Sequence, residues 1–261
     1  MSTKSRMSKA LVRRETIAGY AFMLPSLIFF LGFVIYPMIQ CVITSFFDST
    51  MNREDIFVGF GNYIELFQDK VFLGALRNTV IIVLVSVPVV CIFSLWVSSV
   101  IQNLRGPLCS IFRCVFYLPV VTGSVAVTVV WKWMFNNYYG IFNYVGKATG
   151  LIEQNINWLG DEKYALGCII LILLTTSVGQ PIVLYVSALD NVDQSLVEAA
   201  EVDGATRLQC FWKIKWPQIK PTTLYILVIT TINSFQCFAL IQLLTSGGPN
   251  HSTDTIMYYI Y

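Results

Sequence analysis

The sequence predicts an all-α polytopic membrane protein, and three observations support this fold class. Hydrophobic residues make up 56% of the 261 residues and charged residues 12%, whereas soluble globular proteins average roughly 45–50% and 25%. Five apolar stretches are nearly free of charge and approach or exceed the roughly 20 residues that a membrane-spanning helix needs. The polar stretches between them are too short to bury a soluble core.

The five predicted spans are separated by polar loops, and each span contains proline. Membrane helices tolerate proline, although an interior proline bends the helix. The first span follows a basic N-terminus, residues 1–15. It is too long for a signal peptide and lacks a small-x-small cleavage site, so we interpret it as uncleaved. The predicted spans are residues 16–40, 78–104, 111–135, 164–189 and 221–245.

The distribution of Lys and Arg predicts that the N-terminus lies in the cytoplasm. With that orientation, 11 of the 17 Lys and Arg residues fall on the cytoplasmic side, as the positive-inside rule requires. The polar loop 190–220 is then cytoplasmic, and the loops 48–77 and 136–163 lie outside. We expect a short amphipathic helix in the first outer loop and an interfacial hairpin in the second.

Several classes of function are excluded by composition. The net charge of +2 is too small to indicate nucleic-acid binding. The seven cysteines are scattered, without CxxC or a Cys/His cluster, so neither a disulfide framework nor a metal site is predicted. A Walker A pattern is absent, so the chain is not expected to bind ATP itself. The spans carry almost no ionisable residues, which argues against an intramembrane enzyme.

The loop 190–220 is the most informative stretch. It predicts a short amphipathic helix from Gln194 to Ala200, a turn at Asp203–Gly204, and a second helix rich in Lys and Trp. Acidic residues come first and basic residues last, which suits the helix dipole. A solvated interfacial loop is the plainer alternative. We interpret the stretch as a surface that binds a soluble partner.

Three motifs resemble those of one family. Glu198-Ala199-Ala200, three residues, Gly204, nine residues, Ile214 and then Pro217 resemble the EAA loop of ABC-importer permeases. The segments GNYIELF and FALIQLLTSGGP resemble sugar-importer permeases. The chain is therefore similar to a carbohydrate ABC-importer permease subunit of the maltose and multiple-sugar type, which implies an ABC importer type I transmembrane domain. Members of that family continue through a sixth span, so we expect five spans here, with the sixth missing.

The resemblance implies a function and a set of partners. The EAA-like loop would dock on an ATPase, whose closure moves the attached helices. The implied partners are a second homologous permease, two cytoplasmic ATPase subunits and an extracellular or periplasmic solute-binding protein, in a bacterial plasma (inner) membrane. ATP and Mg would be used by the ATPase, and no cofactor would be bound by this chain. The docking residues expected are Glu198, Ala199, Ala200, Asp203, Gly204, Ile214 and Pro217.

Span five carries a polar face that could line a substrate path. Thr230, Asn233, Ser234 and Cys237 are spaced i, i+3, i+4, i+7, so they share one helix face. Uncharged hydrogen-bonding groups suit a neutral polyhydroxyl solute. The alternative is that they hydrogen-bond to neighbouring helices. The resemblance implies that Thr230, Ser234 and Cys237 line the sugar site.

Span four offers a second stripe, formed by Thr175, Gly179 and Ile182. Gln180 and Pro181 are expected to break the helix there, and a broken helix at mid-membrane frees backbone groups for a ligand. The resemblance places the same three residues at the sugar site. An aromatic platform for a sugar ring is missing from the stripe.

Two alternatives to a sugar importer stay open. One is an ABC importer for another polar solute, such as glycerol phosphate, although that anion would favour an Arg or a helix N-terminus near the site. The other is a truncated, non-transporting scaffold that binds the ATPase.

Overall fold

The computed structural model describes residues 9–48, 56–102, 104 and 107–261, with side chains from Arg13 onward. Most of the basic N-terminal segment that we predicted therefore lies outside the described residues. The chain divides into two compact units, residues 1–69 and 70–261.

The first unit contains a long apolar helix followed by a small β-hairpin. Helix α1 (Lys9–Phe30) continues through a π-helical turn (Leu31–Ile35) into α2 (Tyr36–Thr44). Strands β1 (Phe47–Asp48) and β2 (Ile56–Phe57) pair antiparallel, which the sequence did not predict.

Helix α3 (Gly61–Gln68) is the short helix expected in the first outer loop. The Asn62 amide donates to the carbonyls of Ser45 and Phe47, at 3.0 Å each, and the Tyr63 and Ser45 hydroxyls lie 2.6 Å apart. The asparagine and tyrosine of the GNYIELF motif therefore hold this loop together.

The second unit is an all-helical bundle built around α4. Its helices are α4 (Lys70–Gln102), α5 (Pro107–Val121), α6 (Ser124–Met134), α7 (Ile141–Ala148), α8 (Glu162–Ser177), α9 (Gly179–Asp190), α10 (Gln194–Val202), α11 (Arg207–Cys210), α12 (Trp216–Phe235), α13 (Ala239–Leu244) and α14 (Ile256–Ile260), with a π-helical turn at Phe211–Lys215. Helix α4 packs against α8, α9 and α12.

Small polar side chains join α4 to its neighbours. The Ser94 and Ser98 hydroxyls donate to the carbonyls of Val178 and Ile182, at 3.3 and 3.0 Å. Val178 is the residue at which α8 gives way to α9, close to the break predicted at Gln180 and Pro181. Hydroxyls on α4 thus bind backbone groups at and beyond the break, as buried polar groups in a bilayer require.

The third predicted span is divided into two helices. Helices α5 and α6 are bent by 96° at a break between them. Pro119 lies within α5, and the bend comes after it, because Thr122 and Gly123 fall between the two helices.

The fifth predicted span also differs from expectation at both ends. Its helix begins upstream of residue 221, because α11, the π-helical turn and α12 run on without interruption. It then breaks at 236–238 before α13. The loop 190–220 and the fifth span are therefore joined by continuous helix.

Among the described residues, three helical stretches are long and apolar enough to cross a membrane, namely Arg13–Thr44, Lys70–Gln102 and Glu162–Asp190, and the bent pair α5–α6 would make a fourth. Helix α12 is not among them.

The segment after α13 is fixed by hydrogen bonds to α4. The Asn78 amide donates to the carbonyls of Ser252 and Asp254, both at 3.0 Å, and the Thr79 hydroxyl accepts from the Ile256 backbone at 3.0 Å. The peptide bond between Gly248 and Pro249 is cis. The TSGGP motif therefore ends α13 and returns the chain to the bundle.

Candidate functional site

The loop 190–220, called here the docking segment, begins with a capped helix. The Asp193 carboxylate accepts hydrogen bonds from the Ser195 hydroxyl and backbone N–H, at 2.8 and 2.9 Å. These bonds satisfy one of the free donors at the start of α10. They also hold the pKa of Asp193 below its usual value, because they stabilise the charged carboxylate.

Helix α10 ends at the glycine that the sequence singled out. The Gly204 and Ala205 N–H groups donate to the carbonyls of Glu201 and Ala200, at 3.1 and 2.9 Å, the bond pattern of a Schellman motif. Gly204 has φ +80, and a Cβ built there would meet no atom within 4 Å. Backbone conformation alone, not lack of space, therefore favours glycine.

The second helix of the docking segment starts with a capping box. The Thr206 hydroxyl accepts from the Gln209 N–H, and the Gln209 side chain accepts from the Thr206 N–H. This reciprocal pair satisfies two donors that would otherwise be unpaired. It fixes where α11 begins, immediately after the turn at Gly204.

The predicted docking residues divide into two groups. Glu198, Ala199, Asp203, Gly204 and Pro217 are exposed, whereas Ala200 and Ile214 are half-buried. Ile214 packs on an apolar cluster with Leu189, Val192, Val197 and Ile219, so its side chain holds the segment against the bundle.

Three exposed apolar residues extend the outer surface and were missed by the sequence reasoning. The exposed fractions of Val202, Leu208 and Trp212 are 88%, 68% and 53%. Leu208 and Trp212 are four residues apart on continuous helix, so they lie on one face, and apolar side chains grouped in this way are typical of an interaction surface. The amphipathic pattern of α10 carries a signal for Val202, but Leu208 and Trp212 stand out only once the helix positions are known.

A second candidate site lies between the α8–α9 break, α5 and α12. It is a cavity of about 160 Å³, called here the polar cavity. Its walls combine hydroxyl, amide and apolar groups with one tyrosine. The lining residues are Val120, Thr176, Ser177, Gln180, Pro181, Leu184, Tyr225, Ile226, Ile229, Thr230 and Asn233.

The four residues predicted on span five do not all reach the polar cavity. Thr230 and Asn233 line it. Ser234 is buried and pairs with the Ser86 hydroxyl on α4 at 2.9 Å, as in the alternative of interhelical hydrogen bonding. Cys237 is buried in an apolar cluster, beyond the end of α12.

None of the three residues of the stripe predicted on span four lines the polar cavity. Ile182 is fully buried in a cluster with residues of α4. A Cβ on Gly179 would lie 2.4 Å from the Phe116 carbonyl, so Gly179 allows α5 and α9 to approach closely. Thr175 lies on the α5–α6 side, beside Leu118 and Thr122.

The structure brings other residues of the same helices to the polar cavity. Thr176 and Ser177 lie just before the α8–α9 break and Gln180 just after it, and all three line the polar cavity. Tyr225 supplies the aromatic side chain that the sequence stripe lacked. The sequence could have indicated Tyr225, because Tyr225, Ile229 and Asn233 are spaced four residues apart and so share one face of α12.

Within the described residues, no group of three or more His, Cys, Asp or Glu side chains could hold a metal ion. The polar cavity and the docking segment are thus the two candidate sites.

Residues 56–261 match the sequence pattern of a protein family. The description of that family is "binding-protein-dependent transport system inner membrane component". The chain belongs to this family of importer permeases. Membership confirms the prediction of an ABC-importer permease fold and of a membrane protein. It also confirms that the chain is a transport component and not an enzyme.

Relatives of this importer permease align over nearly its whole length. The lactose transport system permease protein of Rhizobium radiobacter is 33% identical over 100% of this chain and 87% of its own. A probable ABC transporter permease protein of Bacillus subtilis is 32% identical over 96% of this chain and 86% of its own.

A solved structure shares the fold of this importer permease. It is a chain of a bacterial alginate ABC transporter in complex with an alginate pentasaccharide-bound periplasmic protein. The similarity covers 96% of this chain and 83% of that chain, with 25% identity and a TM-score of 0.80.

Proposed function

We propose that this chain is the permease subunit of an ATP-driven, binding-protein-dependent importer of a neutral sugar. It forms half of the translocation pathway and docks a separate ATPase through residues 190–220. The observation that carries the choice of substrate is the chemistry of the polar cavity. Its described lining has hydroxyls, amides and a tyrosine but no Asp, Glu, Lys or Arg, which suits a solute rich in hydroxyls and without charge.

The size of the polar cavity supports a paired assembly. Ligand pockets usually measure about 300–1,000 Å³, whereas this one measures about 160 Å³. A second, homologous permease would supply the remaining walls. The solute-binding protein in the related alginate transporter supports a binding protein as the outer partner.

The docking segment supports a cytoplasmic ATPase pair as the inner partner. It presents Glu198, Val202, Leu208 and Trp212 to solvent, and its inner face is packed on the bundle. The N-terminus would then lie in the cytoplasm of a bacterial inner membrane. ATP and Mg would be used by the ATPase, with no cofactor bound by this chain.

The test is uptake by the complete importer in proteoliposomes containing ATP. The chain is reconstituted with its partner permease, ATPase and binding protein, and radiolabelled lactose, maltose, trehalose and sn-glycerol 3-phosphate are compared. We expect ATP-dependent uptake of a neutral sugar that requires the binding protein. Uptake of glycerol phosphate alone would overturn the sugar assignment. Binding of the ATPase without uptake of any solute would favour the scaffold alternative.

A further inference from the structure

The side chain of Gln102 joins three elements of the bundle, namely α4, α9 and the π-helical turn of the docking segment. Gln102 is the last residue of α4, Lys215 ends the π-helical turn, and Leu189 lies at the end of α9. The Lys215 ammonium donates to Gln102 Oε1 at 3.1 Å, and Gln102 Nε2 donates to the Leu189 carbonyl at 2.9 Å. Both contacts are partly buried.

Glutamine has the chemistry that this position requires. An ammonium group only donates and a carbonyl only accepts, so a bridge between them must accept at one end and donate at the other. A carboxamide does both. Glutamate could accept from Lys215 but could not donate to Leu189. Its negative charge would also lie at the C-terminal end of α9, where the helix dipole disfavours it.

The bridge joins the docking segment to a helix that lines the polar cavity. Helix α9 runs from Gly179 to Asp190, about 18 Å at 1.5 Å per residue. Its first half contributes Gln180 and Leu184 to the polar cavity. Beside Leu189, the Asp190 carboxylate pairs with Arg113 of α5 at 2.9 Å. A displacement of the end of α9 therefore reaches both α5 and the polar cavity.

We propose that Gln102 is a positioning residue that couples movement of the docking segment to the polar cavity, by tying Lys215 to the end of α9. The proposal rests on the proposed function, because it assumes that an ATPase moves the docking segment. It assigns Gln102 and Lys215 a part in coupling, not in substrate contact or in ATPase docking.

The experiment separates docking from coupling in the complete importer. The exposed thiols Cys41 and Cys114 are replaced by serine, and Asn233→Cys places a reporter thiol at the polar cavity. The rate at which a water-soluble maleimide labels it is measured with and without ATP. ATP hydrolysis is measured in the same vesicles, with and without the binding protein.

The variants are Gln102→Leu, Gln102→Glu and Lys215→Met. Gln102→Leu loses both bonds of the bridge, Gln102→Glu loses the bond to Leu189, and Lys215→Met loses the bond to the charged group. Loss of a hydrogen bond to a charged group corresponds to about a tenfold change in an equilibrium. We expect the effect of ATP on labelling to shrink about tenfold while ATP hydrolysis stays within about twofold. Lys215→Arg should restore the effect, since it still donates. Lys147→Met is the control, because Lys147 is an exposed lysine in the last turn of α7, outside residues 190–220, and it should behave as the parent.

Two results would overturn the proposal. If the three variants keep the parent's effect of ATP on labelling, Gln102 is not a coupling residue, although the proposed function stands. If the parent importer shows neither ATP-dependent labelling nor stimulation by the binding protein, the proposed function fails and the coupling role with it. Should Gln102→Leu not insert in the membrane, Gln102→Glu and Lys215→Met carry the test.

Discussion

At the residue scale, Gly204 shows how one backbone angle shapes the docking surface. Its φ of +80 lies in the left-handed region, where a residue with a Cβ costs about 1–2 kcal/mol. We expect Gly204→Ala to weaken ATPase binding and to lower uptake several-fold, and Gly204→Asn to be milder, because Asn tolerates this region. Co-purification of the ATPase and sugar uptake are the measurements.

Gly150 provides the matched control for Gly204. It has φ +73, open space around a built Cβ and the same pair of hydrogen bonds at the end of α7. Gly150→Ala should cost similar stability but leave ATPase binding intact. If Gly204→Ala and Gly150→Ala lose ATPase binding equally, the loss in Gly204→Ala is caused by reduced stability of the fold. Normal uptake by Gly204→Asp would contradict docking at this turn.

Asp193 is expected to make the stability of α10 depend on pH in acid. Its pKa is lowered in the folded state, so its contribution to α10 is complete above the ordinary aspartate pKa and is lost as the pH falls through the lowered value. Protection of the α10 amides from hydrogen exchange, corrected for intrinsic rates, should be constant near neutral pH and should fall in acid. In Asp193→Asn this fall should be absent. A fall of the same size in both proteins would exclude Asp193 as its cause.

At the element scale, the close packing of α5 against α9 depends on Gly179, which has no side chain. A Cβ at Gly179 would lie 2.4 Å from the Phe116 carbonyl and 2.7 Å from Val120. Since overpacking typically costs about 1–3 kcal/mol, Gly179→Ala should lower the thermal unfolding temperature of the purified protein. Gly167→Ala in α8 is the control, because a Cβ there meets nothing within 4 Å and alanine favours the helix. Equal temperatures for the two variants would contradict close packing at Gly179.

The same scale explains which spans the sequence predicted poorly. An interior proline predicted a bend in the third span, but the sequence indicated neither its place nor its size, which is 96° between α5 and α6. The sequence predicted a helix rich in Lys and Trp after the turn at Gly204, but not its continuity with α12, because the polar composition of 207–220 separated it from the apolar span. Tertiary packing of Phe211, Ile214 and Ile219 stabilises helix there regardless of polarity.

At the scale of the whole molecule, the polar cavity forms where helices distant in sequence meet. Asn233 on α12 and Gln180 on α9 are 53 positions apart in sequence, and both line it. Asn233→Leu should raise the KM for sugar uptake about 2–10-fold, the equivalent of one hydrogen bond, while leaving binding-protein-stimulated ATP hydrolysis in place. Thr231→Val is the control, because its hydroxyl donates to the Leu227 carbonyl of its own helix and Thr231 does not line the polar cavity. An unchanged KM in Asn233→Leu would contradict the prediction that Asn233 binds the sugar.

The sequence by itself determined the membrane class, the family and the helix that ends at the Gly204 turn. These follow from hydropathy and from local motifs such as the turn at Gly204, whose geometry depends only on neighbouring residues. Only the tertiary structure decided which polar groups reach the polar cavity. Thr230, Asn233 and Ser234 fit one helix face equally well, but Ser86 on α4 pairs with Ser234, leaving the other two to the cavity. In an apolar bilayer many faces of a helix are compatible with its sequence, and packing against the neighbouring helices selects the one that is adopted.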